Sequence, residues 1–420
     1  MSNSNRYAKS SLEIRSRELP KLLYITANTP WGRGEPQILK CMLTLKKQGI
    51  PLIIIPRNPT KKIFHNEAWE LLENAIWLPL INFAILFGFI KTLLTKKSAW
   101  EIIFLVFKNS RSFTILIKNL AVLPKAFYVA DRVKREGIYH IHAHWGSTTA
   151  TMAYAVSKLT NTRWSFTLHR WDIKENNMLK EKVKAAKFAR LISRHGYHET
   201  LEIIGPEYKN KCFVLHMGVY VPETIVAPKE ENKESFVIAT VANLVEVKGH
   251  KYLIQAIKIL KEKGYHNVKC YFIGEGPLRQ GLEKIVINLG LNNNIIFKGA
   301  LPNDALYKLY AQGEIDCVVL PSIITDKGEH EGIPVSLMEA MAFKIPVIST
   351  NTGGIPELLE NDSGIIVNQK DPEELAKAIE TLIRNKELRK KISENGYRKV
   401  KSEFWLPDNT KKLLELIMSS

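Results

Sequence analysis

Two successive trains of short apolar runs, each run followed by a turn and then a helical pattern, restrict this chain to parallel α/β architecture, and a polar stretch at 222–235 separates them. In the first train, Lys21–Ala27 reads as a buried strand, the turn-rich NTPWGRGEP follows, and a helix runs through Leu45 and ends before Gly49. Pro51–Ile55, Tyr139–Ala143, Trp164–Leu168, Ala189–Ser193 and Cys212–Leu215 continue the strands, with a helix over 147–159. In the second train, Phe236–Ala242, Lys269–Ile273, Ile295–Lys298, Cys317–Leu320 and Pro346–Ser349 alternate with helical patterns at 249–263, 277–289, 303–312 and 372–384. This order predicts two doubly wound, Rossmann-like domains. At 420 residues the chain exceeds the size at which one core keeps growing, which supports the same division. The expected boundaries are an N-terminal domain over 1–222, a linker at 223–235 and a C-terminal domain over 236–404, followed by a terminal helix at 405–420.

Charge divides at the same place. Residues 1–225 carry 34 Lys and Arg against 16 Asp and Glu, whereas 226–420 carry 26 of each, so the whole net charge of +18 lies in the first half. A basic half points to an anionic surface, such as nucleic acid, anionic lipid or a phosphorylated acceptor, and charge alone does not choose among them. No RNP, zinc or helix-turn-helix pattern supports a nucleic-acid partner. Cys41, Cys212, Cys270 and Cys317 are far apart and form no C-x2-C pair, so buried thiols in a reducing compartment are expected rather than disulfides or zinc ligands. The polar first twenty residues lack the apolar core of a secretory signal, and a cytoplasmic location is the expectation.

The first half also carries an apolar, basic insertion at about 68–136. Ala75–Ile90 is sixteen residues without a charge, shorter than the roughly twenty of a membrane span. Further on, bulky apolar residues alternate with Lys and Arg, a pattern shared by helices lying in a membrane interface and by ordinary packed helices.

Residues 329–342, EHEGIPVSLMEAMA, set Glu331 and Glu339 eight positions apart around a helix start, with Pro334 suited to the first turn. The N–H groups near Val335 and Ser336 would sit at the positive end of the helix dipole, where phosphate oxygens can accept from them. A diphosphate there, with a carboxylate on each side to take sugar hydroxyls, suits a nucleotide sugar. The wider segment Leu320–Gly364, LPS…GEHEGIPVSLMEAMAFKIPVISTNTGGIPELLENDSG, resembles the donor-binding half of retaining glycosyltransferases of family 4, whose fold is GT-B: two Rossmann-like domains facing an interdomain cleft.

The resemblance implies a role for each matching residue. Glu331 would contact the donor sugar, Glu339 the ribose, and the backbone of Gly332, Ile333, Pro334 and Val335 the diphosphate. In ANLVEVKGH at 242–250, Lys248 would reach the diphosphate, while the family's arginine five positions earlier is here Asn243, which carries no charge. Gly274 and Gly299 would line the nucleotide, and Gly32, Arg33 and Gly34 of WGRGEP would approach the donor phosphates from the first domain. TLHRWDI at 167–173 matches an H-G-x-D-like signature, which puts His169 near the transferred sugar and Asp172 as an orienting group; His144 of HAHWG is an acceptor-binding candidate. The family's C-terminal helix crosses back to the first domain, a role open to the segment after Phe404. A D-x-D metal motif is absent from a suitable strand end, so neither metal nor other cofactor is expected. The implied activity is retaining transfer of a hexose from a UDP-sugar or GDP-mannose to a lipid-linked glycan at the inner membrane face. The alternative is a sugar-nucleotide binder of the same fold that has lost turnover, for which Asn243 is the motive.

Overall fold

Most strands form on short runs rich in apolar and β-branched residues, as parallel strands covered on both sides require, while the strand His140–His144 alternates three buried histidines with Ile141 and Ala143. In the computed structural model, which describes residues 19–32, 35–223 and 234–419, the first sheet contains β1 (Leu22–Thr26), β2 (Leu52–Pro56), β3 (His140–His144), β4 (Arg163–Leu168), β5 (Phe188–Leu191) and β6 (Cys212–Val214). All are parallel, in the order β2-β1-β3-β4-β5-β6. The second sheet contains β7 (Phe236–Val241), β8 (Val268–Ile273), β9 (Ile295–Gly299), β10 (Cys317–Leu320), β11 (Val347–Thr350) and β12 (Ile365–Val367). It is also parallel, in the order β12-β11-β10-β7-β8-β9. Read from β9 inward, this is the 3-2-1-4-5-6 order of a Rossmann fold, with its direction of winding reversing between β7 and β10. In the first sheet the reversal falls between β1 and β3.

Two compact units correspond to the sheets. The first comprises the described residues up to Ile192, Gly196–Leu215 and the chain from Thr410; the second comprises Ser193–His195 and His216–Asn409. The second unit begins ahead of its first strand because Val219 exchanges backbone hydrogen bonds with Phe404 and Leu406 at 2.8 and 3.0 Å. The helix Leu406–Met418 ends in the first unit, where Lys187 donates to the Ile417 carbonyl at 3.0 Å. Arg33, Gly34 and most of the expected linker at 223–235 lie outside the described residues.

After the 3-10 helix Asn66–Asn74, the insertion consists of the α-helices Phe83–Thr95, Lys97–Asn109 and Phe113–Glu136. The last, Phe113–Glu136, is a core helix, with Val122, Phe127 and Ala130 packed among Ile25, Ile141 and Ala153. Its Lys125 is fully buried and donates to the carbonyls of Pro56, Arg57 and Leu78 at 2.6, 3.0 and 2.6 Å, and burial pushes the ammonium pKa down to about 7. That cation ties the insertion to the end of β2. The short strand β12 and the helix Lys386–Glu403 are present in addition to the elements expected from the sequence pattern. β3 lies one residue later than the expected Tyr139–Ala143, so that His140, His142 and His144 are all buried strand residues.

Candidate functional site

In open α/β sheets, ligands settle outside the C-terminal strand ends where the winding reverses. In the second unit this point lies between β7 and β10, and the loops leaving those strands are joined there: Lys248 Nζ is 2.7 Å from Glu331 Oε1, with side chains only 18 % and 14 % exposed. Lys248 closes the single helical turn Glu246–Lys248, and Gly249 follows with φ 65°. A side chain at 249 would put its Cβ 1.9 Å from the Pro321 carbonyl oxygen, so glycine is what lets the Lys248 turn lie against the end of β10.

The helix after Glu331 runs Val335–Ala342, and Pro334, with φ −72° and ψ 122°, is its N-cap rather than a first-turn residue. Proline there still fits, since no helical N–H is lost. The helix begins with backbone N–H groups that have no preceding turn to donate to, beside the Glu331–Ile333 loop. Glu339, within the helix, is 8 % exposed and accepts a 2.5 Å hydrogen bond from the Tyr307 hydroxyl. Tyr307 has no counterpart among the residues singled out from sequence. Its own helix, Asn303–Ala311, follows β9, and only the folded sheet order brings it to Glu339.

Gly353 and Gly354 also do more than turn the chain after β11. A Cβ at Gly353 (φ 53°) would lie 1.9 Å from the Glu331 carbonyl oxygen, and one at Gly354 would lie 3.0 Å from that of Gly332. They form a backbone floor under the Glu331–Gly332 loop, and His330 Nδ1 sits 2.9 Å from the Glu331 carbonyl oxygen. Gly353→Ala is therefore expected to cost about 1–3 kcal/mol and to displace this loop. A thermal melt checks the cost, and a wild-type Tm would remove the argument. Gly274 and Gly299 meet through a 2.9 Å backbone hydrogen bond. Asn243 is exposed at the end of β7, before the Lys248 turn.

In the first unit the winding reverses between β1 and β3, and a bond joins the two loops there as well. Trp145 Nε1 donates to Glu35 Oε1 at 2.5 Å. The other Glu35 oxygen accepts from the Asn28 and Thr29 N–H groups and from the Thr29 hydroxyl at 3.0, 2.8 and 2.6 Å. This carboxylate holds the loop containing Gly32, whose N–H donates to Lys62 O at 3.0 Å. Trp145 has φ 82°, a conformation that costs a non-glycine residue on the order of 1–3 kcal/mol and collects at functional sites. Its indole lies against His169, ring centroids 4.3 Å apart. Glu35 and Trp145 were absent from the sequence-based set; they are 110 positions apart, and only strand order makes them neighbours.

His169 N–H donates to Asp172 Oδ2 at 2.9 Å, which caps the short helix Arg170–Glu175. His169 and His144 approach at 2.8 Å between their Nε2 atoms, so one donates and the other accepts. Burial holds His169 at about 3 and His144 well below the usual histidine range, which keeps both rings neutral at pH 7. Burial likewise raises the Asp172 carboxyl to about 6, against hydrogen bonds from the Gly146 and His169 backbone. The structure thus brings His144, His169 and Asp172 together, and Lys248 with Glu331.

Residues 222–399 match the model of the family described as Glycosyl transferases group 1. The chain is 29 % identical over 281 residues to the amylovoran biosynthesis glycosyltransferase AmsK of Erwinia amylovora, covering 64 % of this chain and 65 % of the relative. It is 35 % identical over 172 residues to the putative colanic acid biosynthesis glycosyltransferase WcaL of Escherichia coli strain K12, covering 41 % and 42 %. In both cases the match spans less than two thirds of the relative. In fold it is similar to a glycosyltransferase from Rickettsia africae ESF-5 (TM-score 0.69, 21 % identity, 96 % of this chain and 98 % of that one). It is also similar to Anabaena Alr3699/HepE in complex with UDP (TM-score 0.70, 16 % identity, 95 % and 100 %). At these identities the likeness speaks for the fold, which is GT-B.

Proposed function

We propose that this protein is a retaining, metal-independent glycosyltransferase that moves a hexose from a nucleotide sugar to a lipid-linked glycan during cell-surface polysaccharide synthesis, at the cytoplasmic face of the membrane. The observation that carries the reading is the Lys248–Glu331 pair at the reversal point of the second sheet, beside the start of the helix Val335–Ala342. Lys248 and the backbone from Gly332 to Val335 hold the diphosphate, Glu331 the sugar and Glu339 the ribose, with Gly274 and Gly299 beside the nucleotide. His169 acts at the transferred sugar, and His144 and Asp172 serve the acceptor side. The polysaccharide names of the relatives support the pathway class, and the UDP bound by HepE supports a nucleotide donor.

In the reaction, the acceptor oxygen bonds to the anomeric carbon on the face from which the nucleoside diphosphate departs. The C–O bond to phosphate breaks, and the departing phosphate oxygen takes the acceptor proton. The work left to the protein is charge stabilisation on the leaving group. Lys248 supplies it, and Asn243 adds only a dipole.

Calorimetry with UDP and GDP, followed by nucleotide release from the matching donors, tests the reading. Micromolar binding of one nucleotide, with turnover unaffected by EDTA, is expected. EDTA-sensitive turnover restored by Mg²⁺ or Mn²⁺ would end the metal-independent part, and the His195 and His330 rings, 5.6 Å apart, are where a cation would first be sought. The exposed, uncharged Asn243 motivates a second reading, a binder without turnover. Binding with no turnover in the wild type, restored in Asn243→Arg, would favour it.

A further inference from the structure

Helices Phe83–Thr95 and Lys97–Asn109 bury one side and leave large apolar side chains on the other. The first buries Ile85 and Thr92, and Gly88 faces Tyr128 of the core helix. One turn and two turns away, on the opposite side, Phe83, Phe87, Ile90 and Leu94 follow helical spacing and are 93 %, 72 %, 55 % and 81 % exposed. The second helix buries Ala99, Ile102 and Val106 and exposes Trp100, Phe104 and Phe107. The two helices are locked together by the Trp100 indole, which donates to the Leu93 carbonyl at 2.9 Å. Single exposed apolar residues are ordinary, but this many large side chains on the outer sides of two adjoining helices are the kind of apolar surface that marks an interaction site.

The charges around this face identify the partner. Between 75 and 130 the only acidic residue is Glu101, whereas Lys91, Lys97, Lys108 and Arg111 are exposed on or beside the same two helices. A second protein copy brought to this face would bring the same cations against themselves, with little acidic surface to meet them. An anionic lipid surface satisfies both features, because acyl chains receive the aromatic and aliphatic side chains while the lysines stay at headgroup level. Neither helix is long enough to span a bilayer. Phe113–Glu136 has the length and composition, and half of it is buried inside the protein, as a core helix would be.

We propose that the exposed faces of Phe83–Thr95 and Lys97–Asn109 form a docking surface that lies in the interface of an anionic bilayer. This deepens the membrane-face location proposed above and does not depend on the donor chemistry. The test is co-sedimentation of the full chain with vesicles of phosphatidylcholine, with and without about one-third phosphatidylglycerol. Binding to the anionic vesicles, weakened by salt, is expected. The variant Phe87→Ser/Leu94→Ser/Phe104→Ser changes only exposed positions and should keep the wild-type melting curve and nucleotide affinity while losing at least ~10-fold in vesicle partitioning. Lys97→Glu and Lys108→Glu should each lose about five-fold or more. Three results overturn the proposal: no vesicle binding at low salt, unchanged binding in the triple-serine variant, or a wild-type dimer that this variant makes monomeric without any vesicle binding. Nucleotide affinity is read on the same samples, so a failure of the transferase reading would show there and not in the vesicle pellet.

Discussion

Glu331→Gln is expected to lower kcat/KM for the donor by roughly 10²–10³-fold. Glutamine keeps the shape and removes the charge, so the 2.7 Å contact with Lys248 loses its anion in a site where both side chains are largely shielded from water. The shielding sets the size of the effect, because a surface pair would be worth about 0–1 kcal/mol whereas breaking a sequestered pair leaves a charge that nothing offsets. The proposed roles predict how the loss divides. With Glu331 on the sugar in that reading, Glu331→Gln should weaken the intact nucleotide sugar and leave the free nucleoside diphosphate within a few-fold of wild type. Lys248→Met should weaken both. The double variant should fall well short of the product of the two single losses, since each removes half of one contact. Full donor affinity with turnover abolished in Glu331→Gln would move this carboxylate from binding to bond making, and the leaving-phosphate mechanism would have to be replaced.

Lys248 and Glu331 could be singled out from sequence because each belongs to a local motif: a lysine in a glycine-ended turn after a strand, and a glutamate before a helix start. The residues that escaped notice have no such motif. Glu35 contacts Trp145, and Glu339 contacts Tyr307, only because parallel strands distant in the chain lie side by side. Gly353 and Gly354 carry no local sign of their role for the same reason, as their close approach is to a loop leaving another strand. The alternation of strands and helices was legible because complete burial demands apolar runs, whereas β12 is short and only partly buried, with Ile366 exposed, so its pattern does not separate from a loop. In the insertion, helical periodicity was visible, but which side of each helix was covered depended on the core helix Phe113–Glu136.

The first unit should lose stability steeply as pH falls below about 6.5, well before the paired carboxylates of the surface protonate. Its β3 and β4 carry a buried ladder: His140 Nε2 and His142 Nδ1 each lie 2.8 Å from the Ser165 hydroxyl, His142 Nε2 lies 2.9 Å from that of Thr167, and His144 meets His169. Burial holds all four rings neutral, His140 and His169 at about 3 and the other two well below the usual range. Here the folded pKa lies below the unfolded one, so below pH 6.5 the unfolded chain takes up protons that the folded one refuses, and acid favours unfolding. Each ring contributes about 1.4 kcal/mol of loss per pH unit in this window. Asp172 works in the opposite sense. Its folded pKa of about 6 is raised, so it binds a proton first in the folded state and returns up to roughly 1 kcal/mol as pH falls to 5.5. The net loss from the four rings and Asp172 between pH 7.5 and 5.5 is then about 4–5 kcal/mol, a large part of the stability of an ordinary domain, and the buried Lys125 and Lys182, both held down at about 7, add to it in the same sense because the unfolded lysines are already protonated. Urea unfolding followed by tryptophan fluorescence at pH 7.5, 6.5 and 5.5 measures it. His142→Gln, which keeps an amide able to meet Ser165 or Thr167, should lower stability at pH 7.5 but make the pH profile shallower by about one ring's share. A midpoint that stays level from pH 7.5 to 5.5 would mean that these rings accept protons in the folded state, and the neutral His144–His169 pair assigned to the site would fall with it.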